Sequence, residues 1–414
     1  MGQARWDTCL LKNKQGAYLP CVSNVAAILT HRDEWRNVIA YDAFAGVVVK
    51  RKSAPWIEDT APEYEVLGDW SREDSLRTVV WVTREYNCPV SSSIVDEAVQ
   101  VVAARHVIHP LRDWLIEQKW DRRARCDDFL IRLAGATDTP YVRAVTKNFF
   151  IAAVARVLSP GCQVDTMLIL EGEQGIGKSS LVRILAGEAW FLDTAFDIGS
   201  KDGYQALRRK WIIEIGEMDA YSRAEVARRK QFISAVKDSY RPSYGRGIID
   251  FPRQCVFVGT VNPDGAGYGK DVTGDRRSQP VLLGKVDLKA VREERAQLWA
   301  EAVFRYRKCE KWHLRDPKVL KAAAAEAEDR RQADPWEHHF RMWLKSNPHI
   351  KRGVSIEKML SEAISMPPDR QGHGDHIRAA RALRAIGWSI VRRGTDATRR
   401  YFPAEPQRWD SAAE

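Results

Sequence analysis

The sequence predicts an α/β protein: a doubly wound core around a phosphate-binding loop, a helical segment before it and a winged-helix-like domain after it. Three observations carry this expectation. The short apolar runs Met167–Leu170, Trp211–Ile215 and Val256–Thr260 are bounded by glycines and acids and have the length of buried parallel strands. Helical stretches at Ser179–Leu185 and Arg223–Val236 alternate with them. The first run leads directly into Gly172-Glu173-Gln174-Gly175-Ile176-Gly177-Lys178-Ser179, which fits the pattern GxxxxGK[ST] in full.

Taken in order, residues 1–108 read as a mixed α/β domain. Val47-Val48-Val49 has the composition of a short strand, and Ala54–Trp70 reads as loop. A helix is expected after Ser71, with Asp74 three residues on as its capping-box partner, ending near Asn87-Cys88-Pro89. A second helix is expected from Ser93, with Asp96 in the same relation. Two capped helices across a short turn have the outline of a DNA-binding helix-turn-helix, though such a pair is more often plain packing.

Residues 109–160 follow a helical pattern through Leu111, Trp114, Leu115, Phe129, Leu130, Leu133 and Val142–Val157, and Pro160-Gly161 stops it. The core then occupies 161–316. An Ala-rich helix, Pro317–Arg331, forms a linker over 317–334, and Asp334-Pro335 marks a boundary. Over 335–414, helices Ser355–Ala363 and His373–Leu383 precede a strand-like Trp388–Arg393, a Gly394-Thr395-Asp396 turn and Arg399–Phe402. Helix, helix, ribbon is the order of a winged helix. Between Arg370 and Phe402 there are eight Arg against two acids, Asp375 and Asp396.

Composition narrows the function classes. Hydrophobic residues make up 44% of the 414, enough for a sizeable core, which excludes global disorder. The balance of 65 Lys+Arg against 55 Asp+Glu leaves +10, which points to a localised polyanion-binding face rather than a basic tail. The seven cysteines, at 9, 21, 88, 126, 162, 255 and 309, form no CxxC and no zinc spacing, so ordinary reduced thiols are expected. The start of the chain has no apolar signal-peptide core, and the apolar stretch Asn148–Leu158 is short and broken by Arg156. A soluble, cytoplasmic protein without a membrane partner is the expectation. Trp114, Trp211 and Trp388 lie in apolar patterns and are expected in cores.

The loop carries the chemistry. Its glycines let the backbone turn successive N–H groups toward phosphate oxygens, and the helix behind it adds its positive end. Gly172, Glu173, Gln174, Gly175, Ile176, Gly177, Lys178, Ser179 and Ser180 are therefore the expected ATP cradle. Lys178 is expected to bridge the β- and γ-phosphates and the Ser179 hydroxyl to ligate Mg²⁺. Trp211–Ile215 supplies Glu214, followed by Gly216-Glu217. A strand's period of two would turn Glu214 and Glu217 opposite ways unless Gly216 breaks the geometry. One acid is expected at the metal, with Glu214 as the candidate ligand, and one at the attacking water; either Glu214 or Glu217 is a candidate for the catalytic base. Asn262, at the tip of the next strand, is the candidate water-positioning sensor. Arg276 and Arg277, after the turn Thr273-Gly274-Asp275, are candidates for a finger reaching a neighbour's γ-phosphate.

These residues resemble a family. His109-Pro110, the loop, Trp211–Glu217, Tyr240-Arg241-Pro242-Ser243-Tyr244-Gly245-Arg246, Pro252-Arg253, Thr260-Val261-Asn262 and Thr273-Gly274-Asp275-Arg276-Arg277 together resemble the virulence-associated E proteins. These are phage and mobile-element replication ATPases similar to superfamily 3, AAA+-type DNA helicases. The resemblance covers about residues 109–315. It implies a P-loop AAA+-like core, a homo-hexameric ring with ATP between subunits, and the cytoplasm of a bacterial host. It also implies single-stranded DNA in a central channel lined by a β-hairpin. The interval expected to hold that hairpin contains Lys237, Arg241, Tyr244, Arg246 and Arg253, and from Gln205 to Arg253 there are eleven Lys/Arg against six acids. The separation of Glu214 from Glu217 departs from the adjacent acids of most superfamily 3 members. Asp193, Lys201 and Asp202 match family positions without an assigned role.

The leading expectation is thus an ATP-dependent helicase acting on single-stranded and forked DNA, with a primase or other replication proteins as partners. The alternative is a DNA-bound ATPase that initiates or loads without processive unwinding. A small-molecule kinase would need a lid and an acceptor pocket, and the sequence supplies neither.

Overall fold

The structure, a computed structural model, describes residues 6–57, 67–193, 199–216, 228, 231–241, 247–262, 277–330, 334–348, 350, 353–390 and 400–403. They fall into two compact units. The larger takes the described residues up to Ala323, the smaller those from Ala324 on.

The larger unit begins with a four-stranded sheet of β1 (Ile39–Asp42), β2 (Val47–Lys50), β3 (Gly68–Asp69) and β4 (Val107–Ile108), in the order β3-β2-β1-β4. The expected valine strand is β2. Ser71 caps the helix Arg72–Tyr86: its Oγ accepts the Asp74 N–H at 3.1 Å, and the Asp74 carboxylate accepts the Ser71 N–H at 2.7 Å. Asn87 closes the helix in the left-handed region, at φ 46°. The next helix departs from the expectation. It runs Ser92–Arg105 with Ser91 as N-cap, two residues earlier than Ser93, and Asp96 instead accepts from the Ser75 hydroxyl. Both helices bury residues (Val82, Val95, Val99, Val102) in the core around Trp35.

Three helices follow, Pro110–Glu117, Phe129–Ala134 and Pro140–Leu158. Arg156, which interrupts the apolar run of the last, is 1% exposed. Its guanidinium donates to the carbonyls of Val164 (2.9 Å) and Ala235 (3.2 Å), so a buried cation ties this helix to two loops of the core.

The core strands are β5 (Met167–Glu171), β6 (Phe191–Leu192) and β7 (Ile212–Ile215). A hairpin of β8 (Lys237–Tyr240) and β9 (Ile249–Pro252) comes next, then β10 (Val256–Val261) and β11 (Ser278–Leu282). The sheet is parallel throughout, in the order β11-β5-β10-β7-β6. The three expected strands form its centre. Of the expected helix Arg223–Val236, Arg228 and residues 231–234 are helical, and most of the rest lies outside the described residues. Trp211, Trp299 and Phe150 meet beneath the sheet, with ring centroids 4.2 Å (Trp211–Trp299) and 5.0 Å (Phe150–Trp299) apart. The packing expected of Trp211 is what it does. Trp114 is half-buried beside Trp190, and Trp388 is buried in the smaller unit.

The helix Pro317–Asp329 leads out of the core. The smaller unit consists of helices Pro335–Ser346, Ile356–Lys358 (continued by a wider turn, Met359–Ala363) and His373–Ala385, then β12 (Trp388–Ile390) antiparallel to β13 (Tyr401–Pro403). Val354 bridges to Tyr401. Phe340, Val354, Met359, Leu360, Leu383 and Tyr401 form its core. The expected turn Gly394-Thr395-Asp396 lies outside the described residues. Among those residues, no helix is long and apolar enough to cross a membrane, and the seven cysteines are free thiols.

Candidate nucleotide-binding site

Parallel pairing sets the ends of β5, β7 and β10 side by side, since Val261 pairs with Glu171 and Val258 with Glu214. The loop 172–177 leaves β5 there. Gly172, Gly175 and Gly177 have φ of +152°, +85° and +103°, values that favour glycine. A Cβ on Gly172 would press on Ile176 Cδ1 and lie 3.1 Å from the Leu283 carbonyl, so the loop closes tightly over this position. Helix Lys178–Ala186 begins directly behind Gly177.

Lys178 is the buried centre of the site, 8% exposed. Its ammonium donates to the carbonyls of Gly172 (2.6 Å) and Glu173 (2.8 Å) and to Asn262 Oδ1 (2.8 Å). Burial holds its pKa below the usual lysine value, against the opposite pull of Glu214. Asn262 thus stands at the tip of β10, where the sequence placed the sensor.

Ser179 donates from Oγ to Glu214 Oε1 at 2.6 Å, and the Thr260 hydroxyl donates to the same oxygen at 2.8 Å. Glu214 Oε2 is buried, and among the described residues no hydrogen bond reaches it. A buried carboxylate oxygen without a donor costs stability unless a cation satisfies it. With the Ser179 hydroxyl beside it, the oxygen donor set suits a hard ion such as Mg²⁺. Ser179 and Glu214 therefore fit the group expected of them. Thr260 was not foreseen as part of the site; its signal was a hydroxyl on a strand whose six residues are otherwise apolar or glycine, VFVGTV.

The hairpin stands between β7 and β10, in the interval expected to hold one, with Ser239 opposite Asp250 and Tyr240 opposite Ile249. Lys237 is exposed and paired with Asp250 at 2.6 Å. That hydrogen bond, helped by the Ser239 hydroxyl, holds the Asp250 carboxyl below its ordinary pKa. Solvent screens an exposed pair of this kind, so it holds Lys237 weakly and a phosphate can compete for it. Arg241 is exposed where β8 ends. Arg253, the last cation of the interval, is placed differently from Lys237 and Arg241. Its side chain is fully buried, paired with Asp238, bonded to the Phe232 carbonyl and flanked by the rings of Phe232 (4.5 Å) and Phe257 (5.5 Å). It anchors the hairpin's base and cannot meet DNA.

Residues 115–333, more than half of the chain, match the model of the virulence-associated protein E-like domain. The chain belongs to that family. Among solved structures, the apo NrS-1 C terminal region is similar at 12% identity, covering 88% of this chain and 95% of that one, with a TM-score of 0.43. Its A form gives 13% identity over 70% of this chain and 77% of that one, with a TM-score of 0.42. No curated protein matches.

Within the family domain, the structure brings Lys178, Ser179, Glu214 and Asn262 together. Arg277 is not among them: its carbonyl accepts the N–H of Met167, at the start of β5, whereas the loop leaves the strand's other end. A five-residue strand separates the two, on the order of 15 Å. Glu217, Tyr244, Arg246 and Arg276 lie outside the described residues. Of the positions without an assigned role, Asp193 pairs with Arg183 at 2.5 Å, Lys201 opens the helix Lys201–Ala206, and Asp202 accepts from the Gln205 amide at 3.1 Å.

Proposed function

We propose that this chain is an ATP-dependent DNA helicase of phage or mobile-element replication, with a P-loop AAA+-like core, a hairpin that tracks single-stranded DNA and a winged-helix-like C-terminal domain. The observation that supports it best is the convergence of Lys178, Ser179, Glu214 and Asn262 at the carboxyl ends of the central strands of a parallel sheet. Loop N–H groups from Gln174 to Ser180 would cradle the phosphates. Lys178 would exchange its carbonyl partners for β- and γ-phosphate oxygens, which keeps its charge buried and paired. Ser179 and Glu214 would hold Mg²⁺, with Thr260 fixing the carboxylate. The ion would draw charge from the phosphates. Asn262, freed from Lys178, would orient the attacking water, with Glu217 as the candidate base. Arg276 or Arg277 would reach the γ-phosphate of a neighbouring subunit in a homo-hexameric ring, which accords with the distance of Arg277 from its own loop. Lys237, Arg241, Tyr244 and Arg246 would meet the strand by phosphate pairing and base stacking. Forked DNA as substrate, replication proteins such as a primase as partners, and the bacterial cytoplasm as location complete the reading.

The test is ATP hydrolysis with Mg²⁺, with and without a single-stranded oligonucleotide. Stimulation by the oligonucleotide is expected, and its absence would remove the helicase reading. Glu214→Gln, which keeps the shape and removes the charge that would hold the metal, is expected to lower hydrolysis by roughly 10²-fold or more. The Mg²⁺ concentration for half-maximal rate should rise with it. Unchanged magnesium dependence would take the metal away from Glu214.

A further inference from the structure

The smaller unit carries an exposed face that the nucleotide site does not use. Helix His373–Ala385 buries Ala379, Ala382 and Leu383 in the unit's core. On its other side His373, Ile377, Arg381 and Arg384 are exposed. They stand at i, i+4, i+8 and i+11, which places them along one stripe.

The helix's three arginines are used differently. Arg378 is spent inside the unit: its Nε and Nη2 each donate to the Asp334 carboxylate at 2.8 Å, and its guanidinium lies 4.0 Å from the Trp336 ring centroid. Arg381 and Arg384 have no hydrogen bond or ion pair among the described residues, so the fold asks nothing of them. Nor does a carboxylate stand on the stripe. Asp375, the only acid on this helix, is turned back to accept the Gly372 N–H at 3.0 Å, and Glu357 faces His376, off the stripe, at 3.8 Å.

Shape and chemistry select among polyanions. Helix Ile356–Lys358 with its continuing turn precedes this helix, and among the unit's described residues the stripe on the second helix is exposed, the arrangement in which a helix enters a DNA groove. A helix with side chains is about 10–12 Å across and the major groove of B-form DNA about 12 Å wide. The major groove of an RNA duplex is too deep and narrow to be read this way. Single-strand recognition calls for exposed aromatic platforms, and the stripe has none. We infer that helix His373–Ala385 docks in the major groove of duplex DNA, with Arg381 and Arg384 meeting phosphates or guanine edges. The inference goes beyond the ATPase reading and does not depend on it.

The experiment is fluorescence anisotropy of the full-length protein on a labelled, mixed-sequence DNA duplex, titrated across KCl concentrations. The double variant R381A/R384A is expected to weaken duplex binding ~10-fold or more at low salt, and to lower the log–log salt slope by about two if both arginines contact phosphates. R381K/R384K keeps the charge and should retain most of the slope. The thermal midpoint, affinity for a single-stranded oligonucleotide and hydrolysis stimulated by it should not move. Unchanged duplex affinity in R381A/R384A would overturn the inference. So would an equal loss on single strands or on an RNA duplex, which would make the stripe a general polyanion patch.

Discussion

Replacing Lys178 by Ala is expected to lower ATP hydrolysis by ~10²–10³-fold, the scale on which one preorganised charge-stabilising donor acts. The ammonium is already buried against two loop carbonyls and Asn262. Phosphate oxygens would therefore enter a position prepared for them rather than draw a flexible side chain out of water. The variant loses the donor while the glycine conformations that shape the loop remain. Steady-state hydrolysis, with nucleotide binding followed separately by a fluorescent ATP analogue, checks this. The rate should fall much further than the affinity. A fall of both by the same factor would mean that Lys178 only binds.

Arg253→Met is the second large effect, and it concerns stability. The guanidinium is fully enclosed, and removing it leaves the buried Asp238 carboxylate without its paired cation. Breaking a buried pair from one side costs ~3–5 kcal/mol. Chemical denaturation should show a loss of that size, and Asp238→Asn in the same chain should recover part of it, because the stranded charge goes. A fully stable Arg253→Met protein with weakened DNA binding would contradict the buried structural role and place Arg253 on a DNA-contacting face.

The parts of the fold that were legible in the sequence share one property: a local rule decides them. The loop's glycines, the Ser71–Asp74 capping box and the fully apolar central strands each announce themselves within a few residues. The edge strands do not. β11 contains Pro280, which lacks an N–H and is tolerated because this strand lies at the sheet's edge. β6 has two residues, too few for any period. The helix Pro335–Ser346 was hidden behind Asp334-Pro335, which reads as a boundary but is its N-cap and first residue; Trp336, Phe340 and Leu344 carried the amphipathic spacing. Ser91 and Ser93 cap equally well by rule, and the contact of Asp96 with Ser75 belongs to a helix pair that spacing cannot see.

The site divides along the same line. Lys178, Ser179 and Asn262 follow from motif and strand end, whereas Thr260 joins them only through the register of β10 against β7. Arg253 shows the converse. By composition it is one more cation in a basic hairpin, and only the enclosing rings and Asp238 reveal that it faces inward. Charge counting along a segment cannot separate the two sides of a strand.

The most direct test of the helicase account is strand displacement on a forked duplex with ATP and Mg²⁺, comparing the wild-type chain with Lys178→Ala. The account predicts displacement that requires both ATP and Lys178. DNA-stimulated hydrolysis with no displacement from forks of either tail polarity would contradict it.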